Sequence, residues 1–178
     1  MNREIDATFS IVAMDRESGE TGVAISTKRP AVGNRCIAAV AGIGAVASQA
    51  TTNPYIPRQA IELMRSLSNC RQVFDVVANQ DFDIDSRQTN LVSNSGDSFS
   101  FTGTRCQPYA GGTHDKGFAI AGNILTGPEV IDAMQDSFEN SAGTLACRLV
   151  GALLAGEQQG GDKRGKQSAA VLVSKIGW

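Results

Sequence analysis

Short runs of strand-forming residues open the sequence. Residues 9–14 and 21–27 are largely apolar and are separated by a polar turn in which Gly19 suits a position with positive φ. This pattern predicts a β-hairpin. Residues 35–40 and 43–48 predict two more short strands, and their many alanines and glycines favour close packing between layers.

Two pairs of segments have helical periodicity. Apolar residues at helical spacing begin after Pro54, and Ser68 or Asn69 can cap a second helix. Pro128 suits the first turn of a third helix, and an apolar stripe over residues 145–154 predicts a fourth. Further strands are predicted over residues 87–93, 98–102, 117–125 and 167–175.

The predicted order is strands, two helices, strands, two helices and a final strand. Paired helices between blocks of strands argue against the alternation of a parallel βαβ fold. The pattern favours an α+β fold with two packed antiparallel sheets and a helical layer outside each. The polar residues 110–117, which include the one histidine, His114, are interpreted as a surface loop.

The composition is that of a soluble globular protein, since 42% of the 178 residues are hydrophobic and 19% are charged. The net charge of −2 gives no overall basic field that would favour nucleic acid or anionic lipid. Residues 36–47, the longest apolar stretch, are too few to cross a bilayer, and residues 1–6 lack the core of a secretory signal. We therefore expect a cytoplasmic protein with no nucleic-acid or membrane partner.

The cysteines and the histidine restrict the chemistry. The four cysteines are far apart and show no spacing typical of a metal site or a disulfide framework. We therefore expect no metal site. The sequence also contains no Walker loop and no dinucleotide-binding glycine motif, so we expect no cofactor. A single histidine leaves one candidate for a Ser/His/Asp or Cys/His arrangement, which favours chemistry that needs no histidine.

Three segments are richer in small and polar residues than packing requires. They are Thr8 with residues 26–28 of the hairpin, residues 48–53 at a strand–helix junction, and the charged loop of residues 160–168. Backbone N–H groups at such a junction can hold a developing oxyanion. Each segment can also be explained as a hairpin, a helix cap or a solvated loop, and the sequence alone leaves both explanations open.

Thr8 offers a nucleophile of a particular kind. Cleavage of the Ala7–Thr8 bond would release an α-amine on the residue that carries the hydroxyl. Because an α-amine titrates near pH ~8, part of it is neutral at physiological pH and can accept the hydroxyl proton. A threonine activated in this way needs no histidine. Residues 1–7 are therefore predicted to be a leader, followed by one domain over residues 8–178.

Six groups of residues carry a family resemblance: residues 8–13, 22–24 through 31–33, 44–49 with 53–54, 101–103, 122–125 with 127–130, and 160–162 through 167–170. Together they resemble the bacterial and archaeal family known as domain of unknown function 1028. That family is grouped with the N-terminal nucleophile (Ntn) hydrolases, alongside proteasome β subunits. The resemblance implies an Ntn-hydrolase-like αββα four-layer sandwich.

The resemblance also implies a set of site residues. It places Thr8 where the superfamily keeps its nucleophile. The implied catalytic residues are Thr8, Ser26 and Asp162. The implied substrate-binding or oxyanion residues are Gln49, Thr51, Asn53, Asn123, Arg164 and Ser168. Proteasome-type sites add a lysine beside the threonine, for which the candidates are Lys28 or Arg35, with Arg164 or Lys166 as alternative sources of positive charge.

We expect a hydrolase of amide bonds in a small or peptide-like substrate, with Thr8 Oγ attacking the carbonyl carbon. The alternative is a non-catalytic module of the same fold that binds a ligand or supports assembly. Ser10, two positions along the same strand, is the alternative nucleophile. By analogy with the superfamily alone, a homodimer or larger homo-oligomer is a further expectation.

Overall fold

Residues 8–177, which the computed structural model describes, form nine strands and four α-helices. The predicted leader, residues 1–7, lies outside the described residues. The strands are β1 Thr8–Met14, β2 Thr21–Thr27, β3 Ile37–Val40, β4 Gly44–Ala50, β5 Arg87–Ser93, β6 Ser98–Thr102, β7 Gly111–Asp115, β8 Phe118–Asn123 and β9 Ser168–Ser174. The helices are α1 Tyr55–Met64, α2 Cys70–Ala78, α3 Glu129–Asn140 and α4 Leu145–Gln158. Within these residues, the helices lack the length and apolar character needed to cross a membrane.

The strands form two sheets. The first has the order β7-β8-β1-β2-β9, so β1 is its central strand, and the second has the order β3-β4-β5-β6. All of these pairings are antiparallel. The predicted α+β fold with two antiparallel sheets and paired helices is confirmed.

Three apolar clusters join the layers. Helices α3 and α4 pack on the outer face of the first sheet, where the cluster includes Phe9, Ile11 and Leu149. Helices α1 and α2 pack on the outer face of the second sheet, where the cluster includes Val46 and Leu91. Small residues fill the space between the sheets: Val12, Val23, Ala45, Ala47, Val92 and Ala119. The layers therefore follow in the order helices, sheet, sheet, helices.

Local signals in the sequence set several of the element boundaries. Gly19 has φ 71° in the turn between β1 and β2, as the hairpin prediction requires. Asn69 caps α2 because its side-chain oxygen accepts a hydrogen bond from Gln72 N at 2.9 Å. Thr144 caps α4 in the same way, accepting from Cys147 N at 3.3 Å.

The interpretation of residues 110–117 as a loop is wrong. Residues Gly111–Asp115 form β7, which pairs with β8 and places His114 opposite Ala119. Because β7 is an edge strand, it needs few buried side chains and lacks the apolar alternation of an inner strand. His114 is exposed, and its ring meets the Phe99 ring edge-on with centroids 5.7 Å apart.

Candidate functional site

The Thr8 side chain lies between the two sheets. Side chains alternate along a strand, and Phe9 and Ile11 of β1 belong to the cluster under α3 and α4. Val12 belongs instead to the cluster between the sheets. Thr8 and Ser10 share the face of Val12, so both hydroxyls are directed into the space between the sheets.

This space changes from apolar to polar along the strands. At the Val12 end it is filled by small aliphatic residues. We call the inward-facing side chains that lie side by side across the strands a row. In the next row towards Thr8, Asn90 Nδ2 donates to Ser10 Oγ at 3.2 Å and Ser100 Oγ donates to Asn90 Oδ1 at 2.8 Å. The row that contains Thr8 is entirely polar. Its members are Thr8, Thr27 and Asn123 from the first sheet and Gln49, Gln88 and Thr102 from the second.

Thr8 is held by contacts on both sides of β1. It lies directly opposite Thr27 of β2 and Asn123 of β8. Its Oγ1 donates to Thr27 Oγ1 at 3.3 Å. Its backbone oxygen accepts from Gln49 Nε2 at 3.3 Å and from Asn123 Nδ2 at 3.5 Å. Thr8 is fully buried, with 0% relative exposure.

Gln88 connects the two amides that contact Thr8. Its Oε1 accepts from Gln49 Nε2 at 2.9 Å and from Asn123 Nδ2 at 3.0 Å. Its Nε2 donates to Thr102 Oγ1 at 2.9 Å and to the backbone oxygen of Gly122 at 2.7 Å. The side-chain nitrogens of Gln49, Gln88 and Asn123 each donate to oxygen atoms that act as acceptors. These contacts fix the orientation of the three side-chain amides.

Two strained backbone positions adjoin this network. Ala50, which follows Gln49, has φ 68°, and Ile124, which follows Asn123, has φ 53°. Residues with a Cβ rarely adopt positive φ, and a β-branched residue such as isoleucine does so least readily. Each such position costs about 1–3 kcal/mol and is common at functional sites. Both lie at the Thr8 end of the sheets.

Asp162 lies at this end of the first sheet. Its backbone pairs with Leu125, just after β8, and its Oδ2 accepts from Lys28 N, just after β2, at 3.2 Å. Because β8 and β2 are the neighbours of β1, Asp162 lies across the end of the sheet where β1 begins at Thr8. The carboxylate also accepts from Arg164 Nε at 3.2 Å and from Arg164 Nη2 at 3.1 Å.

The implied site residues fall into two groups. The structure brings Thr8, Gln49 and Asn123 into contact, with Asp162 and Arg164 at the adjacent sheet end. Ser26 is also on the neighbouring strand, but it lies opposite Phe9. Its side chain is therefore on the helix-facing side of the sheet, and Thr27 takes the position beside Thr8.

Thr51 and Asn53 belong to a separate polar cluster at the entry to α1. The backbone N–H of Thr51 donates to Ser86 O at 3.0 Å. Asn53 Nδ2 donates to Asp81 Oδ2 at 3.0 Å, while Asn53 Oδ1 accepts from Tyr55 N at 3.1 Å. These bonds give both residues a defined structural role at the junction of β4 and α1.

The Asp81 carboxylate is the charged centre of that cluster. Burial opposes its ionisation, but hydrogen bonds from Arg87, Asn53 and the backbone of Asp83, with the charge of Arg87, lower its pKa to about 2. Arg87 Nε lies 2.8 Å from Asp81 Oδ2, and both side chains are almost fully buried. Arg87 also donates to the backbone oxygen of Thr51.

Ser168 anchors the loop that follows β2, which contains Arg29 and Val32. Its Oγ donates to Arg29 O at 2.5 Å and accepts from Val32 N at 3.3 Å. Arg29 and Arg35, together with Thr27, line a small cavity in this loop. We define Lys28, Arg29, Arg35 and Arg164 as the basic rim of the site.

Gln88 lies outside the candidate residues predicted from the sequence, and Thr27 is included there only within the segment of residues 26–28. A signal for Gln88 is present, because Gln88 and Asn90 alternate with other residues in a strand that is buried over its whole length. Polar residues at inward positions of such a strand require hydrogen-bond partners, which predicts a polar network between the sheets. Thr27 could have been found from the hairpin register, which pairs it with Thr8.

Two comparisons with known proteins give the same family. A family model described as a family of unknown function, DUF1028, matches residues 8–177. The fold is similar to the crystal structure of protein SPO2555 from Silicibacter pomeroyi, described with the same family model, with a TM-score of 0.87 and 30% sequence identity. That match covers 95% of this chain and 76% of the other. The comparison with curated proteins finds no match. Because the family model matches almost the whole sequence, the chain belongs to the DUF1028 family of unknown function.

Proposed function

We propose that the protein is an Ntn hydrolase of αββα architecture that cleaves amide bonds in a small or peptide-like substrate. Thr8 is the nucleophile in this proposal, after cleavage of the Ala7–Thr8 bond. The observation that carries it is the position of Thr8. A hydroxyl residue begins the central strand, between the sheets, in a buried row of polar side chains.

The proposed reaction uses two groups of one residue. The α-amine of Thr8 accepts the proton of Oγ1 while Oγ1 attacks the substrate carbonyl carbon. The C–N bond then breaks, the leaving nitrogen takes the proton from the amine, and the acyl group remains as an ester on Oγ1. Water, deprotonated by the same amine, hydrolyses the ester and restores Thr8.

The negative charge that develops on the carbonyl oxygen must be stabilised. The Thr51 N–H is bonded to Ser86 O, and the side-chain N–H groups of Gln49 and Asn123 are bonded to backbone and amide oxygens. We assign this stabilisation to the positive charges of the basic rim, of which Arg164 is held in place by its hydrogen bonds to Asp162. Lysine and arginine side chains stabilise developing oxyanions when they are preorganised beside the reacting carbonyl.

The mass of the full-length protein tests the processing step. Processed protein lacks residues 1–7, and Thr8→Ala is expected to retain them. Amine release from a panel of primary amides and dipeptides then tests turnover. Ser10→Ala is the matched control, since it removes a hydroxyl from the same face two positions further along β1 and is expected to be processed. Processing or turnover that persists in Thr8→Ala contradicts the proposal, and loss confined to Ser10→Ala identifies Ser10 as the nucleophile.

One observation favours a second candidate, a non-catalytic ligand-binding or assembly module. The Thr51 amide, predicted to be an oxyanion donor, already donates to Ser86 O. This candidate predicts that residues 1–7 are retained under all conditions. It also predicts that Thr8→Ala leaves ligand binding unchanged.

A further inference from the structure

Two buried oxygen atoms of the amide network lack a hydrogen-bond partner. They are Gln49 Oε1 and Asn123 Oδ1, for which the part of the chain that the structure describes supplies no donor. Gln49 is 1% exposed and Asn123 is 0% exposed. Leaving a buried acceptor unpaired costs about 1–3 kcal/mol, so a pair of them beside one residue points to a ligand with N–H groups.

These oxygens cannot be explained by the opposite orientation of the amides. Gln49 Nε2 lies within 3.3 Å of three oxygens, those of Thr8, Ala121 and Gln88 Oε1. Asn123 Nδ2 contacts two of the same three, Thr8 O and Gln88 Oε1. Rotating either amide would set oxygen against oxygen at each contact. The nitrogen positions are therefore fixed, and the remaining atoms can act only as acceptors.

Both acceptors belong to amides that touch Thr8. The nitrogen of each contacts the backbone oxygen of Thr8. Asn123 is also the direct cross-strand partner of Thr8. Cleavage of the Ala7–Thr8 bond would therefore place an amine on the residue that both amides contact. An acceptor pair would repel an oxyanion but suits an ammonium group, which has several N–H donors and no lone pair.

We propose that Gln49 and Asn123 bind the α-amine of Thr8 through Oε1 and Oδ1 and thereby set its pKa. This inference rests on the proposed function, because the amine exists only after the Ala7–Thr8 bond is cleaved. The two residues are positioning residues that act through the amine. Acceptors that bond to the charged form raise the pKa of an amine, whereas burial without partners lowers it.

The pKa of the amine can be measured without a known substrate. Cyanate carbamylates only the unprotonated amine, so the labelling rate of processed full-length protein, followed by mass spectrometry over a range of pH, reports that pKa. We expect the wild-type amine to titrate at about pH 8, the ordinary value for an α-amine, or higher. The basic rim lowers this pKa by like charge and the Asp162 carboxylate raises it. A wild-type pKa more than about 1 unit below the ordinary value therefore overturns the inference, whether or not any variant folds.

Two variants remove the acceptors singly. Gln49→Met and Asn123→Leu are each expected to lower the pKa of the amine by about 1 unit, since each removes a hydrogen bond to a charged group. Asn90→Leu is the matched control. Asn90 is also buried in this layer, but both of its amide atoms are paired, with Ser10 and Ser100. We expect no change of the amine pKa in that variant.

The outcomes separate this inference from the function on which it rests. Protein that keeps residues 1–7 under all conditions overturns both. Processed protein in which Gln49→Met and Asn123→Leu behave like Asn90→Leu overturns the inference alone. A lowered pKa in either acceptor variant, with Asn90→Leu unchanged, supports it.

Discussion

Gln88 Nε2 donates a hydrogen bond to the backbone oxygen of Gly122, 2.7 Å away, and thereby joins the two sheets. Gln88 belongs to β5 of the second sheet, and Gly122 belongs to β8 of the first. Gly122 precedes Asn123, whose side chain also contacts Gln88. Gln88 therefore holds the sheets together at the level of Thr8, together with Gln49, which bonds to Thr8 and Ala121 across the same space.

Replacing Gln88 with leucine is expected to lower the free energy of unfolding by about 2–4 kcal/mol, because buried donors and acceptors lose their partner. Urea denaturation at neutral pH measures this change. Gln135→Leu is the control, since the Gln135 side chain donates to Glu139 at an exposed position on α3. Its effect should stay within about 0.5 kcal/mol. Equal effects of the two substitutions would show that the Gln88 network contributes little to stability.

Much of the fold was predictable from periodicity and turn chemistry. Strands β5 and β6 agree with the segments predicted over residues 87–93 and 98–102, and Asn69 caps α2 as predicted. These elements have a buried apolar face or a local capping bond, which the sequence displays directly. Strand β7 lacked such a signal, since it forms through backbone pairing with β8 rather than through its own side chains.

The site was less predictable because its arrangement depends on which face of a strand each residue occupies. Ser26 and Thr27 are neighbours in sequence, yet only Thr27 shares the face of Thr8. A shift of one residue in register exchanges the two faces. The catalytic role of Thr8 and the cleavage of the Ala7–Thr8 bond stay predictions.

The ion pair of Asp81 and Arg87 is expected to make stability depend on pH. The pKa of Asp81 is lowered from 3.8 to about 2 in the folded protein. A carboxyl whose pKa is lower in the folded than in the unfolded state stabilises the folded protein at any pH above its unfolded pKa. This contribution is lost as the pH falls through the pKa of the folded state. The difference is worth about 2 kcal/mol, lost between pH ~4 and pH ~2. Urea denaturation across this range measures it.

Asp81→Asn should reduce that pH dependence and also destabilise the protein at pH 7. The substitution leaves the buried Arg87 guanidinium without its closest carboxylate, which costs about 3–5 kcal/mol when a buried pair is broken. Asp75→Asn is the control, because Asp75 pairs with Arg71 on the exposed surface of α2. An unchanged pH dependence in Asp81→Asn would assign the acid sensitivity to other carboxylates.

The cysteines should differ strongly in reactivity. Burial, reinforced by the nearby charge of Asp97 and a hydrogen bond to it, raises the pKa of Cys70 to about 12. Cys147 is exposed. Because the thiolate is the reactive form, iodoacetamide at pH 8 should label Cys147 in the folded protein and Cys70 only after denaturation. Peptide mass spectrometry follows both sites, and labelling of Cys70 at the rate of Cys147 would contradict its burial.

Ala50 and Ala47 provide a matched test of backbone strain at the site. Both are in β4 and are 1% exposed, but only Ala50 has a positive φ, at 68°. Glycine adopts positive φ without the steric penalty that a Cβ imposes, so Ala50→Gly should leave stability unchanged or raise it by up to about 1 kcal/mol. Ala47→Gly should lower stability by about 0.5–1 kcal/mol, the usual effect of glycine within a strand. Urea denaturation of both variants measures the difference, and equal losses would show that the φ of Ala50 is not strained.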